Sequence, residues 1–183
     1  ALNKLDEFAR ESEQNSFNQV LSPNGSSTRG VIAGGMPALA VLENLEDGGQ
    51  KVDLLKLGLT YPLPQKSIID FLSSHDEVVV LEELDRIIEL EIKSLAFDHG
   101  IVCRIHARTE NDELMREFHP WRTWSFLGKF WTDDFPFKES PIQDLEIEVP
   151  PRLAQLCPGC GHRTAFHAVA EAMPEGGITV GDI

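Results

Sequence analysis

Apolar positions along this chain follow two different periods, one typical of strands and one typical of helices. Four short apolar runs rich in branched side chains lack strict alternation with polar residues, which suits strands buried on both faces. These runs are 30–33, 52–57, 78–81 and 101–105, and helical patterns lie between them at 37–45, 64–72 and 86–98. The regular order of strand and helix predicts an α/β fold in which helices flank a mostly parallel sheet.

The third helical pattern has clear ends in the sequence. Asp85 is predicted to cap its amino terminus, and Gly100 is predicted to stop it. The acidic run 82–85 ends the preceding strand, at the edge of the sheet where α/β domains bind ligands. We interpret it as a helix cap with solvated carboxylates. Gly34 and Gly35, which also follow a strand, are interpreted as a tight turn because the Gly-x-Gly-x-x-Gly pattern is missing.

The pattern predicts four parts of the chain. Residues 1–28 form a helix and a linker, and residues 29–108 form the α/β domain. Residues 109–150 form a connector rich in proline and aromatic side chains, which must bury its rings against something. All three tryptophans lie within 118–137. Residues 151–183 begin a second domain, with a helix at 164–173 and a strand at 178–183.

Composition excludes several classes of protein. The net charge is −14, and no cluster of Lys and Arg stands out, which argues against binding to nucleic acid or to an anionic membrane. The longest apolar stretch is too short to span a bilayer, and no secretory signal opens the chain. Three cysteines do not suggest a disulfide framework, so we expect a cytoplasmic protein. The first residue is Ala1 rather than Met, and we expect an internal fragment.

One motif carries most of the chemistry. It reads Cys157-Pro158-Gly159-Cys160-Gly161-His162-Arg163 and runs into the last helical pattern. Its two thiols can both face one soft metal or cluster. The glycines let the backbone approach a ligand, and the helix start offers free N–H groups to an anion such as phosphate. His162 and Arg163 suit a diphosphate or a substrate carboxylate, and a capping or surface role is the alternative for both.

The chemistry of the cysteine pair stays open at this point. Zinc shared with His162 and His167 is disfavoured, because residues five apart on a helix point about 140° away from each other. A redox dithiol requires a complete thioredoxin-like sheet. An iron–sulfur cluster requires about four thiolates, and Cys103 lies in another predicted domain. Ligation therefore depends on cysteines outside this chain, and a plain structural pair is the alternative.

Two blocks of the sequence resemble a known family. LLKLGLTYPLP at 54–64 and DEVVVLEELD at 76–85 form the first, and LCPGCGHR at 156–163 with VGDI at 180–183 forms the second. They resemble the large subunit of the indolepyruvate:ferredoxin oxidoreductases, which are thiamine-diphosphate-dependent 2-oxoacid oxidoreductases. The first block is similar to the transketolase C-terminal-type domain of that family. The second is similar to the opening of its thiamine-diphosphate-binding domain.

The resemblance implies a function. The parent enzyme oxidatively decarboxylates an aryl 2-oxoacid to acyl-CoA and passes electrons to ferredoxin, with a small subunit as partner. It implies thiamine diphosphate with Mg²⁺ and a [4Fe-4S] cluster as cofactors. Gly159, Gly161, His162 and Arg163 lie at the cofactor, and Cys157 and Cys160 are the metal ligands. The magnesium motif lies beyond this chain, so Asp182 is not assigned to it.

The isolated chain is expected to bind no cofactor and to be inactive. Two other functions compete with the family interpretation. One is a non-enzymatic interaction module that docks a partner through Trp121 and Trp124. The other is a small metal-binding protein that uses the Cys-x-x-Cys pair.

Overall fold

The computed structural model describes residues 2–46, 48–115, 117–141 and 158–178. The chain forms two compact units, residues 1–142 and residues 143–183. The predicted domain boundaries after residues 28, 108 and 150 stay predictions.

Within the described residues, five strands form one sheet in the first unit, in the order β1-β3-β2-β4-β5. The strands are β1 (Gln19–Leu21), β2 (Arg29–Gly34), β3 (Asp53–Leu57), β4 (Glu77–Leu81) and β5 (Arg104–His106). Strands β2 to β5 pair in parallel, and β1 pairs antiparallel with β3 at one edge. The prediction of an α/β fold with a mostly parallel sheet is confirmed. The fourth predicted strand is shorter than expected, since it begins at Arg104.

Helices flank both faces of this sheet. The helices of the first unit are α1 (Leu2–Gln14), α2 (Gly35–Glu46), α3 (Gln65–Ser73), α4 (Ile87–Asp98), α5 (Asn111–Met115) and α6 (Pro120–Gly128). Gly100 has a positive φ of 61°, as expected for the glycine that ends α4. The alternating side chains of the strands divide the interior into two apolar cores.

One core lies under α3 and α4. It packs Ile68 of α3 and Ile92 of α4 against strand residues such as Ile32 and Val80. The opposite core lies under α2 and α6, where Val41 and Leu127 are fully buried. Strand side chains are buried on both faces, which explains why the strands read as continuous apolar runs.

The aromatic segment forms part of the core under α2 and α6. Phe118, Trp124, Trp131 and Phe135 are all buried there, which meets the expectation that these rings are covered. Proline does not break regular structure at Pro120, although the sequence predicts a connector there. This residue occupies the first turn of α6, where a missing N–H is tolerated, and the His119 side chain accepts a hydrogen bond from Arg122 N.

The amino-terminal segment also packs onto the sheet. Its helical spacing predicted α1 correctly, but β1 was not predicted. The Glu13 carboxylate of α1 accepts hydrogen bonds from the N–H groups of Lys66 and Ser67, at 2.7 and 3.2 Å. Glu13 therefore caps the amino terminus of α3 from a distant part of the chain.

The second unit is described over residues 158–178. Its helix, α7 (Gly161–Ala172), begins three residues before the predicted start at Thr164. Ile178 is not in a strand, and the rest of the predicted strand, 179–183, lies outside the described residues. Among the described residues of both units, none of the helices has the length and apolar character needed to cross a membrane.

Candidate functional site

The motif residues lie at the start of α7. Pro158 and Gly159 form a turn, and Gly159 has a φ of 80°, a conformation that glycine adopts without strain. Cys160 is the N-cap residue, with extended backbone angles of −65° and 128°. Its carbonyl accepts a hydrogen bond from Arg163 N at 3.1 Å. The sequence therefore ends the turn and starts the helix within three residues, which places Gly161, His162 and Arg163 in the first turn.

The thiol of Cys160 lies beside the imidazole ring of His162. Its Sγ atom lies 3.3 Å from Nδ1 of His162. Cys157 lies outside the described residues, so the expected pairing of the two cysteines stays a prediction. His167 contacts Glu171 at 3.6 Å and not His162. No group of three or more metal-binding side chains occurs within the part of the chain that the structure describes.

The amino terminus of α7 is electrostatically suited to an anion. Its first turn contains no acidic residue, and no side chain among the described residues caps it. The N–H groups of Gly161 and His162 precede the first intrahelical hydrogen bonds, so they can donate to a ligand. A Cβ atom placed on Gly159 or Gly161 would meet nothing within 4 Å, which leaves room for a ligand at this backbone.

At the carboxyl edge of the sheet, the amino terminus of α4 is not free to bind an anion. A carboxylate of the same chain already accepts hydrogen bonds from its first-turn N–H groups. The Glu82 carboxylate accepts hydrogen bonds from the N–H groups of Ile88 and Glu89, both at 2.9 Å. Arg108 is fully buried, and its Nη2 lies 3.7 Å from Oε1 of Glu82. Burial lowers the pKa of Arg108, and the nearby carboxylates of Glu82 and Glu89 oppose that shift.

Two sequence interpretations of this edge are corrected by the geometry. Asp85 is not the cap of α4, because the cap residue is Arg86 and the capping carboxylate belongs to Glu82. This carboxylate is buried rather than solvated. Leu84 takes a positive φ of 58°, which turns the chain so that Glu82 reaches the helix. Gly35 also has a positive φ of 58°, as a tight turn requires.

Sequence reasoning missed two histidine contacts at the opposite edge of the sheet. His75 is buried, with Nδ1 at 2.6 Å from the Phe71 carbonyl and Nε2 at 3.2 Å from the Asp53 carboxylate. His106 lies 2.7 Å from the Glu77 carboxylate, which also accepts a hydrogen bond from the Trp131 indole. The carboxylate partners of His75 and His106 are more than 20 residues away in sequence, so no local signal could have paired them.

These contacts shift two acid–base groups. The hydrogen bond from His106 holds the pKa of Glu77 below its ordinary value. Burial raises the pKa of the Cys103 thiol to about 11, and the carboxylates of Asp76 and Glu77 add to the shift. Cys103 is therefore almost fully protonated at neutral pH, and a protonated thiol is a poor nucleophile.

The chain is similar in sequence to known proteins along almost its whole length. The sequence profile of the family described as the indolepyruvate oxidoreductase domain matches residues 32–123. The "Indolepyruvate oxidoreductase subunit IorA" of Methanothermobacter marburgensis is 31% identical over 181 residues, which cover 98% of this chain and 29% of the relative. The subunit of the same name from Pyrococcus abyssi is 30% identical and aligns over 100% of this chain and 28% of its own length. The chain thus spans less than a third of these relatives.

One solved structure shows a weaker similarity. It is described as the 2-oxoglutarate:ferredoxin oxidoreductase from Magnetococcus marinus with 2-oxoglutarate, coenzyme A and succinyl-CoA bound. The TM-score is 0.47 and the sequence identity is 18%. The match covers 73% of this chain and 23% of that structure's chain.

Proposed function

The chain belongs to the indolepyruvate oxidoreductase family, and we propose that it is one part of an enzyme that oxidises an aryl 2-oxoacid such as indolepyruvate. In the proposed reaction, CO₂ is released, the acyl group passes to the thiol of coenzyme A, and two electrons pass one at a time to ferredoxin. The observation that supports this most strongly is the family match over residues 32–123, together with IorA relatives that align along almost the whole chain.

Thiamine diphosphate is the first proposed cofactor, and the residues at the start of α7 fit its diphosphate group. The N–H groups of Gly161 and His162 face no acceptor among the described residues, and no carboxylate lies in the first turn to repel an anion. The His162 ring and the Arg163 guanidinium add two donors at the same helix end. Backbone donors and positive charge together favour a phosphate group there.

A [4Fe-4S] cluster is the second proposed cofactor, with Cys157 and Cys160 as two of its ligands. The position of Cys160 fits this role, since a thiolate at a helix amino terminus is stabilised by the helix dipole. A cluster needs about four thiolates, so the remaining ligands are proposed to come from outside the described residues. The alternative of a small metal-binding protein built on this pair alone lacks the ligand number that such a site needs.

The residues of this chain would position the reacting groups. When bound, thiamine diphosphate supplies the nucleophilic carbon for decarboxylation, and an iron–sulfur cluster accepts the electrons. Gly159 and Gly161 let the backbone approach the diphosphate, and His162 and Arg163 donate hydrogen bonds to it. Nδ1 of His162 lies 3.3 Å from the Sγ atom of Cys160, so the imidazole ring would help to hold the thiol in position at the helix start.

The proposed partners are a small subunit, ferredoxin, coenzyme A and the aryl 2-oxoacid, in the cytoplasm. The 183-residue chain alone is expected to be inactive, because it contains less than a third of the length of its relatives. Turnover of aryl pyruvate by the isolated chain, with thiamine diphosphate, Mg²⁺, coenzyme A and a viologen acceptor, would contradict this.

The test uses the complete oxidoreductase subunit with its partner. We expect His162→Ala to weaken thiamine diphosphate binding about tenfold, as measured by calorimetry, because a charge-assisted hydrogen bond is lost. His167→Ala is the matched control. It removes a histidine from the same helix, and the His167 side chain contacts Glu171 rather than the helix start. Equal affinities for the two variants would refute the assignment of His162, and no viologen reduction by the complete enzyme with any aryl 2-oxoacid would refute the proposed function.

A further inference from the structure

Helix α4 buries apolar side chains on its inner side and also exposes three large apolar side chains on its outer side. Its inner side packs into the core through Ile92, Leu95 and Ala96. Its outer side exposes Ile87 at 68%, Leu90 at 57% and Phe97 at 86% of their surfaces. The spacing of three and seven residues puts these side chains in one row. Neighbouring large apolar side chains that are exposed together typically mark an interaction surface, so the outer row is expected to have an occupant.

The exposed row continues beyond the helix into a groove. Tyr61 and Leu84, both largely exposed, lie with Ile87 around a groove of about 420 Å³ at the amino-terminal end of α4. We call the surface formed by Tyr61, Leu84, Ile87, Leu90 and Phe97 the α4 outer face. A row of apolar side chains that leads into a groove suits a helix or loop that inserts one bulky side chain at its end.

The charges around this face are negative. Glu83, Asp85 and Glu91 line the groove together with the apolar residues. The two cations of the same region, Arg86 and Lys93, are both directed to the buried Glu89 carboxylate, at 3.8 and 2.6 Å. A binding segment with Lys or Arg beside its apolar residues is therefore favoured. A binding segment with acidic residues is disfavoured, because like charges repel.

We propose that the α4 outer face docks a segment of the parent oxidoreductase subunit that lies outside this chain, an apolar segment flanked by basic residues. The inference rests on the proposed function, because the relatives contain the matching region as only 28–29% of their length and so have much further chain to supply an occupant. A second copy of this chain is disfavoured by its net charge of −14 and by the acidic groove, and so is an anionic membrane.

Accessibility of a thiol placed in the row tests the inference. Ser94 is exposed and lies between Leu90 and Phe97 on the same side of α4. Glu43, exposed on α2 at the opposite side of the sheet, gives the control position. We expect Ser94→Cys to react with a maleimide about tenfold more slowly in the complete subunit than in the 183-residue chain, while Glu43→Cys reacts at similar rates in both.

A charge placed in the row should release the occupant. In the complete subunit, Leu90→Glu is expected to restore the reactivity of Ser94→Cys to its value in the 183-residue chain. The matched control is Leu39→Glu on α2, where a leucine is exposed to a similar extent, at 52%. This control should leave Ser94→Cys protected. Both substitutions are on the surface, and unchanged melting of the 183-residue chain confirms that they preserve the fold.

Each result decides the inference. Equal reactivity of Ser94→Cys in the complete subunit and the chain would overturn it, and so would equal protection of Glu43→Cys. Protection within the 183-residue chain that grows with its concentration would identify a second copy as the occupant and would also overturn it. The activity of the complete enzyme is measured separately. An active enzyme with a freely reactive Ser94→Cys refutes only the docking surface, and a protected thiol in an inactive subunit refutes only the proposed function.

Discussion

Replacing Glu82 with alanine removes the carboxylate that joins the start of α4 to the buried Arg108. The change deletes two hydrogen bonds of 2.9 Å to the N–H groups of Ile88 and Glu89, and it deletes the acidic group 3.7 Å from the guanidinium. Arg108 keeps its hydrogen bonds to the carbonyls of Leu84 and Asp85, but a buried cation is then left without this counter-charge.

The expected magnitude follows from these contacts. Loss of a helix cap costs about 0.5–2 kcal/mol, and removing one partner of a buried ion pair costs about 3–5 kcal/mol. The two costs overlap because both arise from removing the same carboxylate, so they are not added. We expect Glu82→Ala to lower the free energy of unfolding by about 3–5 kcal/mol. Asp85→Ala is the matched control, and we expect it to cost less than about 1 kcal/mol because the Asp85 side chain does not cap the helix.

Urea unfolding followed by circular dichroism measures both values. A double-mutant cycle with Arg108→Met isolates the pair, and we expect a coupling free energy of about 2 kcal/mol between Glu82 and Arg108. The reasoning is refuted if Asp85→Ala destabilises the protein as much as Glu82→Ala, which is the outcome that the sequence alone predicts. Additive effects of Glu82→Ala and Arg108→Met would also refute it.

Three further predictions concern the rest of the first unit. The lowered pKa of Glu77 stabilises the fold above the unfolded value near 4.5, and that stability is lost as the pH falls through the lower folded value. Lowering the pH should therefore reduce the free energy of unfolding of the wild type more than that of Glu77→Gln. Equal dependence of the free energy of unfolding on pH in the two proteins would contradict this. With a pKa of about 11, Cys103 should react with iodoacetamide at pH 8 about 100-fold more slowly than free cysteine, as mass spectrometry of its peptide can show. Trp124→Ala should cost about 3–5 kcal/mol in urea unfolding, because the ring is buried in the core. Unchanged stability with loss of an association would instead favour an interaction module.

Strands β2 to β4 could be predicted from the sequence because burial on both faces of the sheet produces a local pattern of apolar residues. Strands such as β2 and β4 are apolar at nearly every position, so their pattern alone distinguishes them from the helices between them. The strand β1 shows no such sequence pattern. It is three residues long and exposes Gln19 and Val20, and its pairing with β3 is a contact between distant parts of the chain.

The missed helix α6 and the wrong cap of α4 share a physical cause. Proline is read as a breaker, but at the first turn of a helix it costs no hydrogen bond, and Pro120 occupies that position. Asp85 stands where a cap is expected from spacing, whereas Glu82 accepts from the N–H groups of Ile88 and Glu89, with Leu84 between them at a positive φ. Backbone conformations of this kind depend on tertiary contacts and cannot be read from residue types.

The location of the proposed cofactor site follows from comparing helix amino termini. Glu13 caps α3, Glu82 caps α4, and the His119 side chain caps α6, so each already has an acceptor from this chain. Among the helices whose first turns are fully described, α2 and α7 have no such side chain. The first turn of α2 contains no cation, and its Pro37 removes a donor. The first turn of α7 contains both His162 and Arg163, with glycine at its start. A diphosphate needs free donors and positive charge together, and that combination supports the proposed site at α7 rather than one at the carboxyl edge of the sheet.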